Sequence, residues 1–120
     1  MSYSNMSDIK HIGVLLMTYG SPRTLEDIPG YLKNIYGGKD PSDEVIQEFR
    51  RRYSLIGGSP LVKITQEQVE ALETVLNNTN DVKYIVASGM RFSDPFIADV
   101  VKTRFGECDE EVGVIMSTQY

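Results

Sequence analysis

A chain of 120 residues with 41% hydrophobic and 24% charged side chains has the composition of one globular domain, long enough for a real core and too short for two ordinary domains. A formal net charge of −5 excludes the basic stripe that a nucleic-acid binder needs for its phosphates. The single cysteine excludes an internal disulfide, and the single histidine leaves no pair for a histidine-based metal site.

The residues before Asp8 are polar, and the apolar run from Ile12 to Met17 is too short for a signal segment or a membrane span. A cytoplasmic protein is expected, with no membrane contact indicated. Ile9 to Thr18 reads as a strand buried on both faces, ending at Tyr19-Gly20-Ser21-Pro22. Thr24 then caps a helix, with Glu26 and Asp27 in its first turn and Ile28, Tyr31, Leu32 and Ile35 at helical spacing. Tyr36 to Pro41 break it, and Ser42 caps a second helix through Val45, Ile46, Phe49 and Tyr53. Arg50-Arg51-Arg52, the one basic run, follows Asp43, Glu44 and Glu48 by one or two turns, so a solvated, internally paired face is expected there. One of the three arginines remains a candidate ligand contact.

The turn from Arg52 to Leu61 combines Gly57-Gly58 with Ser59 and Pro60. Two glycines reach positive φ and leave room for a flat ligand or another backbone; a tight corner between helices is the plainer alternative. Thr65 is expected to open a third helix, with Val69, Leu72, Val75 and Leu76 inward, closing over residues 77–80. Val82 to Ala87 is a second buried strand, stopped by Ser88-Gly89, and Asp94-Pro95 begins a helix that carries Phe96, Ile97, Val100, Val101 and Phe105 on one side. Cys108 lies among Glu107, Asp109, Glu110 and Glu111, neighbours that raise a thiol pKa, so it reads as an inert loop thiol in an unorganised acidic cluster. Val112 to Met116 is a third strand, running on to Ser117-Thr118-Gln119-Tyr120.

Strands alternating with helices predict a parallel sheet flanked by helices, a three-layer α/β fold. Ligands of such sheets bind beyond the carboxyl ends of the strands. There Tyr19, Phe92 and Tyr120 offer flat apolar faces, Arg91 a cation, and Ser21, Ser59 and Gln119 neutral hydrogen-bonding groups. The set suits a planar ligand with acidic substituents, although aromatic rings also gather at sheet rims as packing. No GxGxxG, P-loop, GxSxG or CxxC motif is present. His11 precedes the first strand, away from that rim, and reads as structural.

Three segments, Gly13-Val-Leu-Leu-Met-Thr-Tyr-Gly-Ser-Pro22, Ile56-Gly-Gly-Ser-Pro-Leu61 and Gly89-Met-Arg-Phe-Ser-Asp-Pro-Phe-Ile97, resemble in order and spacing the N-terminal half of the ferrochelatases. The resemblance covers essentially the whole chain. It implies that residues 1–120 form an N-terminal chelatase-like domain, one half of a two-domain enzyme with the porphyrin in the cleft between the halves. Ser117-Thr118-Gln119-Tyr120 is similar to the start of the family's proline-glutamine-tyrosine-serine strand end, with Thr118 in the proline's place, so further chain is expected after Tyr120.

The resemblance further implies a lyase of haem biosynthesis that inserts Fe(II), its substrate, into a porphyrin without an organic cofactor. The catalytic histidine and glutamate are expected in the C-terminal half, the partner of this domain, so the chain alone is expected to be inactive. Carried over residue by residue, Tyr19 matches a tyrosine that approaches the iron axially, the one metal contact implied for this chain. Arg52, Tyr53 and Ser59 match the propionate end, and Arg91 and Phe92 match a pair near the macrocycle; Tyr120 completes the porphyrin-facing set from the third strand end. Where the coproporphyrin branch tends to place consecutive arginines, Asn34 to Lys39 stands instead, leaving Lys39 as the cation. Arg91-Phe92 is nearer the protoporphyrin-using pattern, whereas the short spacing before Ile56 is similar to the coproporphyrin type. Coproporphyrin III and protoporphyrin IX both stay open. Two other readings stand beside this one: a short homodimeric cobalt or nickel chelatase, which would want metal-binding histidines within the chain, and a non-catalytic tetrapyrrole-binding module.

Overall fold

Lys10–Thr18 form β1, the central strand of a parallel sheet ordered β2-β1-β3, with β2 at Val82–Met90 and β3 at Glu110–Ile115. The computed structural model describes residues 9–58, 60–78 and 81–116. A short 3-10 turn, Leu25–Asp27, leads into α1 (Ile28–Ile35); α2 (Asp43–Leu55), α3 (Leu61–Leu76) and α4 (Ile97–Arg104) complete the helices.

Because side chains alternate across a strand, the continuous apolar run of β1 must be covered twice. Val14 and Leu16 meet Val86 of β2 and Val69 of α3, with Leu72 and Leu76 around them. On the opposite face Leu15 and Ala87 meet Val100 and Phe105, with Ile97 and Val101 beside them. Those two layers, one on each side of the sheet, are the expected three-layer α/β arrangement. Phe105 crosses β1 at Gly13, where a Cβ would lie 2.7 Å from its ring, so only glycine fits.

Several boundaries differ from the expectation, each for a local reason. α3 begins at Leu61, behind Pro60, and not at Thr65, which is buried inside the helix. A proline is compatible with a helix start, so the breaker read in the turn is the opening of α3. Val75, expected inward, is 69% exposed: six residues from Val69 at the α-helical repeat is roughly 240° around the axis. β2 continues through Ser88-Gly89 to Met90, and Gly89 packs where a Cβ would stand 3.0 Å from Leu15 and 3.1 Å from Ile97. α4 starts at Ile97, because the Pro95 carbonyl is spent accepting the Met90 N–H at 2.7 Å; the Asp94-Pro95 peptide is cis.

The acidic cluster before β3 is organised, contrary to expectation. Asp109 Oδ2 accepts the His11 N–H at 2.7 Å, the Asp109 N–H donates to the His11 carbonyl at 2.7 Å, and Lys10 Nζ meets Glu110 Oε1 at 2.7 Å. These contacts clamp the start of β3 to the start of β1. The outer edge of β2 is closed by α3: Asn77 donates to the Tyr84 carbonyl and accepts from the Tyr84 N–H, both at 2.8 Å, and Glu73 accepts the Val86 N–H at 2.8 Å. Side chains thus occupy groups that would otherwise template another strand. β3, by contrast, is exposed along its whole length. Among the described residues, no helix is long and apolar enough to cross a membrane.

Candidate functional site

At the carboxyl end of β1 the ladder to the neighbouring segment outlasts the strands themselves. The Arg91 N–H donates to the Thr18 carbonyl at 3.0 Å, and the Phe92 N–H to the Tyr19 carbonyl at 3.0 Å. This register places the Tyr19 and Phe92 rings together, centroids 6.1 Å apart and planes 26° from parallel. Arg91 lays its guanidinium carbon 4.9 Å from the Phe92 centroid, within cation–π range. Tyr19, Arg91 and Phe92, three of the rim residues singled out in the sequence, therefore form one ledge, and Tyr19 keeps 43% of its surface exposed.

Gly20 makes the ledge geometrically possible. Its φ of +98° turns the chain away from β1, and a Cβ there would overlap Ser93 Oγ. That hydroxyl accepts the Ser21 N–H at 3.1 Å. From α1, Asn34 donates to the Phe92 carbonyl at 3.0 Å and Tyr31 donates its hydroxyl to the Gly20 carbonyl at 3.2 Å. Burial raises the Tyr31 pKa, so its phenol stays a donor. Asn34, Tyr31 and Ser93 support the rim, yet their types alone do not announce it: Tyr31 reads as a core position, Asn34 as a helix end and Ser93 as a turn residue. Ser21, read as a ligand-facing hydroxyl, is 6% exposed and donates to the Pro22 carbonyl at 3.3 Å.

A second wall comes from α2. Arg52, Tyr53, Phe49 and Ile56 line an apolar cavity of about 270 Å³ together with Gly20, Pro22 and Leu61. Tyr53 donates its hydroxyl to the Pro22 carbonyl at 3.0 Å, which ties α2 to the loop after β1. Arg52 Nε donates to Glu48 Oε1 at 3.0 Å, and Arg51 grips both oxygens of the same carboxylate at 2.8 and 3.1 Å. The two arginines hold the Glu48 carboxyl well below the usual carboxylate range, at about 2. The expected paired face is thus present for Arg51 and Arg52, with Glu48 as their anion, whereas Arg50 departs from it: its Nε is buried with no hydrogen-bond partner among the described residues. Gly57 and Gly58 have φ of +73° and +93°, as their pairing predicts, and a Cβ on Gly57 would meet open space. The turn is both a corner between α2 and α3 and an approach to the cavity, since Ile56 is 72% exposed.

A further cavity of about 270 Å³ lies between α1 and the segment after β2, lined by Arg23, Glu26, Asn34, Phe92 and Asp94 among others. Its mixed charges suit small polar groups and not a broad apolar ring. Lys39, the cation carried over by resemblance, lines neither cavity and sits on an exposed turn beside Asp40, which pairs with Lys33 at 3.3 Å. Ser59 and Tyr120 of the expected porphyrin-facing set lie outside the described residues, as does Gln119. His11 lies within β1 as its second residue, not before it as expected, with Tyr19 just past the other end, about 26 Å away at the usual strand rise. The Cys108 thiol is pushed up, first by its burial and then by Glu111 and Asp109. Among the described residues, no group of three or more His, Cys, Asp or Glu is arranged to hold a metal ion.

The carboxyl ends of β1 and β2 thus carry an aromatic and cationic ledge beside an apolar cavity with an arginine at its margin. Coproporphyrin III ferrochelatases from Halalkalibacterium halodurans, Listeria monocytogenes and a Geobacillus species are 40%, 39% and 36% identical to this chain over 114 residues, which is 92% of the chain and 37% of each relative. The chain therefore spans little more than a third of the length of the curated relatives it matches. The profile of the family described as Ferrochelatase matches residues 11–120, a span that holds the ledge, the cavity and all three segments of the sequence resemblance, and the chain belongs to that family.

Proposed function

We propose that the whole protein is a metal-inserting lyase that places Fe(II) in coproporphyrin III, and that residues 1–120 form its N-terminal, porphyrin-holding domain. The reading is carried by one observation, the Tyr19–Phe92 stack with Arg91 laid over it at the carboxyl ends of β1 and β2. Apolar ring faces gain by covering one another, and a macrocycle is a larger face of the same kind. Metal insertion exchanges two pyrrole protons for one divalent cation, so it moves no electrons and requires no organic cofactor. The protein must hold the ring, let a partly desolvated Fe(II) approach one face and accept the protons.

This chain's residues serve the first of those tasks. Tyr19 and Phe92 support the ring, the Tyr19 phenol oxygen is the group that approaches the metal, and Arg91 and Arg52 meet carboxylates at the ring's edge. The groups that accept protons and deliver iron belong to the C-terminal half, which is the domain's partner. The names of the curated relatives favour coproporphyrin III over protoporphyrin IX, and a cytoplasmic location accords with the short apolar run of β1. Fe(II) insertion into the two porphyrins by the complete gene product tests the proposal. Faster turnover with coproporphyrin III is expected, and no insertion into either porphyrin overturns the enzymatic reading.

A further inference from the structure

Glu48 stands one helical turn before Arg52 on α2 and divides its carboxylate between two arginines of different surroundings. Oε1 accepts from Arg52 Nε at 3.0 Å and from Arg51 Nη2 at 2.8 Å, and Oε2 accepts from Arg51 Nε at 3.1 Å. Arg52 lines the apolar cavity. Arg51 lies instead with Asp43, Glu44 and Gln47 on the outer surface of α2. A guanidinium grips a carboxylate best through an edge that offers two parallel N–H groups. On Arg52 Glu48 already occupies the Nε of one such edge. A ligand carboxylate arriving at Arg52 must displace Glu48 or accept the remaining N–H groups, and in either case it meets the negative charge of Glu48 nearby.

Resting on the reading that Arg52 receives an acidic substituent of the porphyrin, we infer that Glu48 is a specificity-determining residue, an internal carboxylate that guards Arg52 and weakens the binding of carboxylate-bearing rings. Arg51 moderates the guard by drawing both Glu48 oxygens toward itself. The arrangement makes Arg52 selective: a ligand must bring a carboxylate able to outcompete Glu48, which a single weak anion does not.

The test is an absorbance titration of the 120-residue chain with coproporphyrin III and, in the same detergent, its uncharged tetramethyl ester, with folding checked by far-UV circular dichroism. Glu48→Gln is expected to bind coproporphyrin III about threefold to tenfold more tightly, the range for unit charges about 6 Å apart in water-like to half-water-like surroundings. Binding of the ester should be unchanged. Arg51→Met, which leaves Glu48 wholly to Arg52, should weaken coproporphyrin binding about twofold to threefold by the same reasoning. The double variant separates this mechanism from summed charge. If Arg51 acts through Glu48, the pair binds as tightly as Glu48→Gln alone; if only net charge matters, it returns to the unaltered affinity and the inference fails. Equal gains for ester and acid, or no gain in either Glu48→Gln or Glu48→Ala, also overturn it. An unaltered chain that binds neither porphyrin overturns the porphyrin-holding role proposed for residues 1–120 as well, whereas porphyrin binding without a gain on removing Glu48 overturns this inference alone.

Discussion

Replacing Gly20 by alanine strains the loop that carries Tyr19 in two separable ways. Its φ of +98° is one that L side chains rarely adopt, and holding alanine there costs about 1–3 kcal/mol. The added methyl also overlaps Ser93 Oγ and stands 3.1 Å from Met90 Cβ. Ser93 can escape only by leaving the Ser21 N–H, which it accepts at 3.1 Å, and Ser21 is buried. An unsatisfied buried N–H costs about 1–3 kcal/mol more, for a total of roughly 2–6 kcal/mol. Urea unfolding of the chain, followed by circular dichroism, reads this directly. Ser93→Ala alone leaves the same Ser21 N–H without its acceptor and should cost about 1–3 kcal/mol. Combined with Gly20→Ala it should recover about 1–2 kcal/mol of the double strain, because the methyl then meets less resistance while the φ cost remains. A Gly20→Ala chain within about 1 kcal/mol of the unaltered one, or strict additivity with Ser93→Ala, refutes the reasoning that these two residues interlock.

Tyr19→Phe keeps the ring stack and removes the phenol oxygen, so the chain should lose porphyrin affinity modestly, and Arg91→Ala should lose more by removing a cation; unchanged absorbance titrations in both refute the ledge as the site. Asn77→Ala bares the Tyr84 N–H and carbonyl at the outer edge of β2 and should destabilise the chain by about 1–3 kcal/mol while promoting self-association on gel filtration. The Glu48 carboxyl, held at about 2 from an ordinary 4.5, contributes stability that is fully present above pH 4.5 and lost as the pH falls toward 2. An NMR titration of its side-chain carbon should therefore show a midpoint near 2, and one near 4.5 would show that Arg51 and Arg52 do not hold it.

The parallel sheet was legible because Ile12 to Met17 admits no polar residue and both faces of such a strand need covers. The rim was legible for a related reason, since strand order puts the residues after each strand at one edge of the sheet. What escaped reading were contacts made across the chain by residues with a plausible local role. Asn77 reads as a helix stop, but it pairs with Tyr84 as a strand would. Ser88-Gly89 reads as the end of β2 because both are weak strand formers, yet a glycine is needed there against Leu15 and Ile97. Asp109 and Glu110 read as solubilising charges, and only the register of β3 on β1 brings them to His11 and Lys10. Asn34 escaped for the same reason: nothing within α1 indicates that its amide reaches Phe92, on a loop 58 residues later.

The two walls of the site differ in how firmly they are held, and that difference bears on how a ring would be recognised. The ledge is pinned by two backbone bonds from β1, by Ser93 on Ser21, and by Asn34 and Tyr31 from α1. Moving Tyr19 relative to Phe92 requires breaking several of these at once, so the position of a ring face is fixed before it binds. The α2 wall is tied by the Tyr53 hydroxyl on the Pro22 carbonyl and by the Phe49 ring against Tyr31, and its arginine is held by an exposed carboxylate. Exposed ion pairs contribute little and exchange readily with solvent. Next to it, Gly57 turns in open space at positive φ. A rigid face combined with an adjustable edge locates the centre of a macrocycle firmly and lets its substituents be sampled by charge. On the proposed function, discrimination between rings of equal face and unequal carboxylate number would fall to Arg52 and its competition with Glu48, and the geometry at the metal to Tyr19.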